Sequence, residues 1–210
     1  IFNDPVKGTE AKKLYEDAQQ MLDEIVEEKW LQANAAFGIY PAQSMGDSVQ
    51  LFQDIKRKIP LNTFHFLRNQ EQKKSGAPNL SLADFIAPAE LNTNDYIGAF
   101  VVTTGIGIEK QIEIFDKQGD DYNAIMLKLL ADRLAEAFAE LLHYKVRTQY
   151  WGYSDEIHPE MEKLLKEKYI GIRPAPGYPA CPDHSEKSTL FHLLDAEKKI
   201  GVKLTNSYAM

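Results

Sequence analysis

Apolar positions Ala11, Leu14, Ala18, Met21, Leu22 and Ile25 recur at helical spacing and predict a first helix from Thr9, its N-cap, to about Trp30. The period then changes. Ala35-Ala36-Phe37-Gly38-Ile39-Tyr40 is an apolar run that predicts a buried strand, ended by Pro41. Val49-Gln50-Leu51-Phe52 alternates as a strand does, and a charged patch follows at 56–58. Residues 62–70 fit either a short strand or the start of a helix. Ser, Gly and Pro within 73–79 predict a loop. Residues 80–86 and 96–104 read as two strands joined by a Pro- and Asn-containing connection, as antiparallel neighbours would be.

The second half is helical. Residues 120–150 predict the dominant helix, with Met126, Leu130, Leu134, Ala137 and Leu141 as an apolar stripe expected to lie on the sheet. Further helices are expected over 158–168 and 185–200, the latter with Leu190, Leu193 and Leu194 inward. Strands come early and helices late, and there is no internal repeat. The expectation is an α+β fold: a single domain with a bent antiparallel sheet packed with long helices.

Composition narrows the function. A chain of 210 residues suits one domain with a substantial core, and 44% hydrophobic with 26% charged residues is ordinary for a globular protein. The net charge of -7 and the lack of a Lys/Arg block argue against a nucleic-acid binder. No apolar run reaches membrane-spanning length, so no membrane is expected as a partner. Cys181 is the single cysteine, which excludes an internal disulfide and a cysteine-based zinc site. Without a signal-peptide pattern at the N-terminus, a reducing cytoplasm is the expected location.

The segment most suggestive of chemistry is Gly171-Ile172-Arg173-Pro174-Ala175-Pro176-Gly177-Tyr178-Pro179-Ala180-Cys181-Pro182. Four prolines and two glycines in twelve residues exclude helix and inner strand. They predict a stiff loop that holds an arginine and an aromatic ring. Such loops are often mere connectors. Arg173 offers a planar fork to a carboxylate, against the plainer reading of a surface ion pair or a helix cap. Tyr178 could cover a ligand with its ring or sit in a core. Asp132, Glu136 and His143 fall on one strip of the long helix, which is either a solvated face or the wall of a site. Glu167, just before the loop, is a weaker candidate of the same kind.

Arg173-Pro174-Ala175-Pro176-Gly177-Tyr178-Pro179-Ala180 closely resembles the S-adenosylmethionine-binding loop of the activation domain of cobalamin-dependent methionine synthases. Leu82-Ala83-Asp84-Phe85-Ile86-Ala87-Pro88, Asp95-Tyr96-Ile97-Gly98-Ala99-Phe100, Asp120-Asp121-Tyr122-Asn123, Ala131-Asp132-Arg133-Leu134-Ala135-Glu136-Ala137-Phe138-Ala139-Glu140 and Tyr150-Trp151-Gly152-Tyr153 resemble further segments of that domain, in order. Leu204-Thr205 and Ala209-Met210 close the series. The likeness is looser over 1–76.

This resemblance implies that the chain is an activation domain over 1–210, truncated at both ends; it starts at Ile1 without an initiator Met and stops at Met210 without a polar tail. It implies S-adenosylmethionine as ligand, bound by Arg173, Pro174, Ala175, Gly177 and Tyr178 of the loop, much of it through backbone groups, with Glu136 near the ligand's amino group. It implies support of the reductive remethylation of cob(II)alamin. The implied partners are the cobalamin domain of the same polypeptide and an electron donor such as flavodoxin or a flavin reductase. The family's cobalamin-ligating Asp-x-His-x-x-Gly stretch belongs to another domain and does not occur here, so the fragment alone is not expected to be active.

Two other readings stay open. The domain could be a docking module for a corrinoid protein, its fold kept and its ligand not bound. Gly105-Ile106-Gly107 after a strand hints at a Rossmann-type site, as in an independent Rossmann-like methyltransferase, but the third glycine of the dinucleotide-binding pattern is missing. The five histidines, His65, His143, His158, His184 and His192, lack zinc-ligand spacing and read as surface or half-buried residues.

Overall fold

A computed structural model describes residues 1–73, 75–156 and 160–208. The first prediction, a helix after Thr9, is met by α1, Gly8–Glu27, but Thr9 does not cap it. Asp4 turns the chain earlier, because its Oδ1 accepts the backbone N–H groups of Val6 and Lys7, both at 2.9 Å. Thr9 therefore already lies inside the helix.

Four strands follow: β1, Gln32–Met45; β2, Ser48–Phe52; β3, Pro60–His65; and β4, Asp95–Ile106. They form one antiparallel sheet in the order β3-β2-β1-β4, an α+β arrangement. Pro41 does not end β1. The register of β1 with β2 runs from Ala42↔Leu51 to Met45↔Ser48, so the missing N–H of Pro41 falls just outside that ladder. Gly46, with φ +61, opens the two-residue turn between them. The ambiguity over 62–70 resolves in favour of a strand, β3.

Residues 80–86 are not a strand. Leu82–Phe85 is a 3-10 turn closed by a capping box, in which the Ser81 hydroxyl accepts from Ala83 N–H and Asp84 accepts from Ser81 N–H. A Ser with Asp three residues on satisfies turn amides locally, and this outcompetes strand pairing. Gly105 ends up inside β4. Gly107, with φ +94, is the N-cap of α2, Ile108–Gln118, a helix the apolar pattern did not predict. An antiparallel sheet excludes the dinucleotide-binding reading of those glycines.

The dominant helix is α3, Asp121–Lys145, and it passes into a π-helical turn, Val146–Tyr150. The short α4, Met161–Leu165, is what stands in the predicted helix over 158–168, whose start at His158 lies outside the described residues, as do Ala209 and Met210. The predicted helix over 185–200 is broken into α5, Glu186–Leu194, and α6, Ala196–Ile200, by Asp195 at φ +51. Among the described residues no helix is long and apolar enough to cross a membrane.

The chain divides into two compact units. The first, Ile1–Asn34 with Val102–Leu142, has a helical core of Met21 and Ile25 from α1, Phe115 from α2, and Ala124, Met126, Leu127 and Leu130 from α3. The Met126 and Leu130 part of the predicted stripe thus packs with residues of α1 and α2. Ala137 and Leu141 are exposed. The second unit, Ala35–Val101 with His143–Met210, has a core of Ala42, Val49, Leu51, Phe64, Phe66, Ala83 and Cys181. Val49 and Leu51 are fully buried, each worth roughly 1.5–3 kcal/mol of transfer free energy.

Candidate functional site

The proline loop lies in the second unit and is a chain of two tight turns. In the first, Tyr178 N–H donates to Ala175 O at 3.1 Å, with Pro176 and Gly177 at the two central positions. Proline presets the first of these, and the second takes φ +104, which only glycine adopts easily. In the second, Cys181 N–H donates to Tyr178 O at 2.9 Å, and Gly177 N–H closes the structure onto Cys181 O at 2.8 Å. A Cβ on Gly177 would sit 2.5 Å from the ring of the exposed His184, so a side chain here must also turn that ring aside.

The loop is anchored at its far end. Leu82 N–H, at the start of the Leu82–Phe85 turn, donates to Ala180 O at 2.8 Å. The Cys181 side chain is buried in the core of the unit, and burial pushes its thiol up to about 11, so it stays a protonated packing group. Tyr178 projects the other way, 63% exposed.

The stem that enters the loop rests on a polar cluster at the end of α3. Arg147, in the π-helical turn, is 0% exposed. Its guanidinium lies 3.9 Å from the centroid of the Tyr169 ring and 5.9 Å from that of Tyr144. Arg147 Nη1 donates to His143 Nδ1 at 2.8 Å, and Nη2 stands 3.4 Å from Glu156 Oε2. A guanidinium can only donate, so Nδ1 of His143 is the acceptor and its ring proton resides on Nε2. Burial, then the charges of Arg147 and of Arg173, hold His143 down at about 4, neutral at physiological pH. The His143 ring meets Tyr169 edge-on at 5.2 Å.

Beside this cluster, Trp151 packs edge-on against Tyr96 of β4 at 6.3 Å and against Tyr153 at 5.4 Å. The Tyr153 hydroxyl fills the place a Cβ would take on Gly171, where φ is +102. Tyr153, braced by Trp151, thus stands against the loop entrance at Gly171.

Of the residues singled out from the sequence, Arg173 and Pro174 are half-buried, and Ala175, Gly177 and Tyr178 are exposed on the same loop. Glu167 is exposed at the end of α4, at φ +51, with its N–H on Leu164 O at 2.9 Å. Glu136 is exposed on α3 in the first unit. The strip containing Asp132, Glu136 and His143 is not uniformly solvated: Asp132 is exposed, whereas His143 is buried. Arg147 and Tyr169 were not among the residues singled out from the sequence, and Tyr153 stood there only within the Tyr150-Trp151-Gly152-Tyr153 segment. The one available signal was the i, i+4 spacing of His143 and Arg147 near the end of a helix.

Comparison with known proteins agrees with this architecture over the full chain. A solved structure, the crystal structure of the MetH reactivation domain bound to AdoHcy, is 50% identical, with a TM-score of 0.92. It is matched along 100% of this chain and 64% of its own, so the chain spans somewhat less than two thirds of that relative. Residues 1–210 match the family described as vitamin B12 dependent methionine synthase, activation domain. The chain belongs to that activation-domain family of the vitamin B12 dependent methionine synthases.

Proposed function

We propose that this chain binds S-adenosylmethionine on its proline loop and supports the reductive remethylation of cob(II)alamin in a methionine synthase. The observation that carries the reading is the loop itself. A Pro176-Gly177 turn leaves small residues and an exposed tyrosine at the surface, next to an arginine whose charge is sensed by a buried neutral histidine. The relative that is half identical over the whole chain is bound to AdoHcy, the demethylated product of the same ligand.

The residues suit such a ligand. Arg173 offers a fork to the amino-acid carboxylate, and the neutrality of His143 keeps a third positive charge from crowding the two guanidiniums. Ala175 and Gly177 let the ligand approach the main chain, Pro174 and Pro176 keep the loop stiff, and the Tyr178 ring covers the ligand's edge. Glu167, in the same unit as the loop, is the acidic candidate for its ammonium group. S-Adenosylmethionine held here would supply a sulfonium methyl for transfer to a one-electron-reduced cobalt centre, and S-adenosylhomocysteine would remain on the loop. This chain positions the donor, and needs no general acid or base to do so. Cobalamin is held by another domain of the same polypeptide, and flavodoxin or a flavin reductase in the cytoplasm supplies the electron.

Calorimetry on the full-length protein tests this. Arg173→Ala is expected to weaken S-adenosylmethionine by about ten- to a hundredfold, the loss of a charge-assisted pair of roughly 1.5–3 kcal/mol. Unchanged affinity removes Arg173 from the site. No binding by the wild type leaves the docking-module reading in its place.

A further inference from the structure

We propose that Arg147 is a positioning residue for the proline loop: stacked on Tyr169, it fixes the stem that delivers Arg173. The inference rests on the ligand reading above and names a residue that acts through the site rather than in it.

Between Leu165 and Arg173 the chain is almost entirely solvent-facing. Lys166, Glu167, Lys168, Ile170, Gly171 and Ile172 are exposed, and only Tyr169 is half-buried. Tyr169 is therefore the side chain of the stem most withdrawn from solvent. That side chain lies under the Arg147 guanidinium at 3.9 Å and against the edge of His143 at 5.2 Å. Two residues on, the stem turns at Gly171, where the Tyr153 hydroxyl fills the space a side chain would need. Two residues further stands Arg173.

A buried guanidinium is an expensive way to fill space, since removing it from water costs more than burying an apolar side chain of similar volume. What it offers is orientation. Its planar fork is set by His143 Nδ1 at 2.8 Å and faces Glu156 at 3.4 Å, so the plane presented to Tyr169 is fixed from α3 and from the segment that follows the π-helical turn. The π-helical turn itself, marked by Trp151 N–H on Val146 O at 2.8 Å, sets the phase at which Arg147 leaves the helix. The field of Arg173 reaches the same histidine, which places its charge close to this cluster.

The test is a comparison of two probes on the full-length protein. S-Adenosylhomocysteine carries the amino-acid carboxylate, and 5′-methylthioadenosine lacks it. Arg147→Lys and Tyr169→Leu are each expected to weaken S-adenosylhomocysteine at least about fivefold while changing 5′-methylthioadenosine by less than about twofold. In an Arg173→Ala background the same substitutions should change S-adenosylhomocysteine by less than about twofold, because the group they position is gone. Equal losses for both probes mean general loosening of the unit and overturn the inference, as do additive losses or none. Should Arg147→Lys fail to fold, Tyr169→Leu, at a half-buried site, decides alone. A wild-type protein that binds neither probe overturns the ligand reading itself, and this inference falls with it.

Discussion

Arg68 holds Asp84 through both terminal guanidinium nitrogens, each 2.6 Å from a different carboxylate oxygen. Arg68 Nη2 also reaches Asp47 Oδ1 at 2.8 Å, in the turn between β1 and β2, and Asp84 Oδ2 accepts Ser81 N–H at 2.9 Å. The next residue, Leu82, donates its N–H to Ala180 O of the proline loop. A hairpin tip, a 3-10 turn and the far end of the loop are therefore linked by successive polar contacts. The Leu82-Ala83-Asp84-Phe85 motif serves that link.

The pair predicts an acid-sensitive contribution to stability. Hydrogen bonds from Arg68, then from Ser81, hold the Asp84 carboxyl down at about 2, below its ordinary value near 4. A depressed carboxylate stabilises the fold fully above its unfolded pKa, and the contribution is lost as pH falls through the folded one. The stability gap between wild type and Asp84→Asn should be widest above about pH 5 and close between about pH 4 and pH 2. Urea titrations at stepped pH measure it; a gap independent of pH would show that Asp84 acts only as a neutral acceptor.

Much of this architecture was legible in the sequence, and the gaps have physical causes. The α+β class, α1, β2, β4 and the long helix follow from periodicity, and the loop follows from proline chemistry. Residues 80–86 misled because an apolar run looks alike in a strand and in a capped turn; the Ser81 and Asp84 spacing was the deciding signal. Helix α2 was missed because it follows Gly105-Ile106-Gly107, which drew attention as a nucleotide motif and hid Gly107's role as an N-cap. The stripe on α3 went wrong beyond Leu134 because the buried face of the helix shifts to Ala139 and Leu142. Arg147 was out of reach, since its role depends on a π-helical turn and on a ring twenty-two residues away, neither of which has a periodic signature.

Gly177 should tolerate no side chain. Gly177→Ala pays backbone strain at φ +104, about 1–3 kcal/mol, and must also displace the His184 ring. Gly201→Ala is the control, with φ +76 and nothing within 4 Å of its Cβ. Thermal unfolding should show the larger loss at Gly177, and S-adenosylmethionine affinity should fall for that variant alone. Equal unfolding losses would mean that His184 yields freely.

His143 predicts a second pH dependence, of known sign. Its pKa is about 4 in the folded protein against about 6.5 when unfolded. Burial, then the charges of Arg147 and Arg173, disfavours its protonated form, and Tyr169 contacts it as a neutral ring. Between those values the unfolded chain binds the extra proton, so stability rises with pH from about 4 to 6.5 and is flat above. The full span is on the order of 3 kcal/mol. His143→Gln keeps an acceptor for Arg147 and cannot titrate. Subtracting its pH–stability curve from that of the wild type should leave this slope, and a flat difference would show that His143 protonates freely in the folded state.

Tyr178 separates ligand covering from mere connection. The ring is 63% exposed on a loop fixed by two turns and by the buried Cys181, so its truncation should cost the fold little. If it lies over bound S-adenosylmethionine on the side facing the corrin, Tyr178→Ala should slow the return of activity from the Co(II) form with reductant and S-adenosylmethionine. On the proposed function, steady methyl transfer from folate to homocysteine would bypass this loop and should stay near the wild-type rate. Tyr178→Phe keeps the stacking surface and loses only the hydroxyl, so it should be much milder, since the face of the ring supplies most of such a contact. Reactivation by the full-length enzyme is the measurement, with unfolding of both variants followed in parallel. Equal reactivation by wild type and Tyr178→Ala would leave the ring no part in covering the ligand; equal impairment by Ala and Phe would assign the effect to the hydroxyl rather than to the ring face.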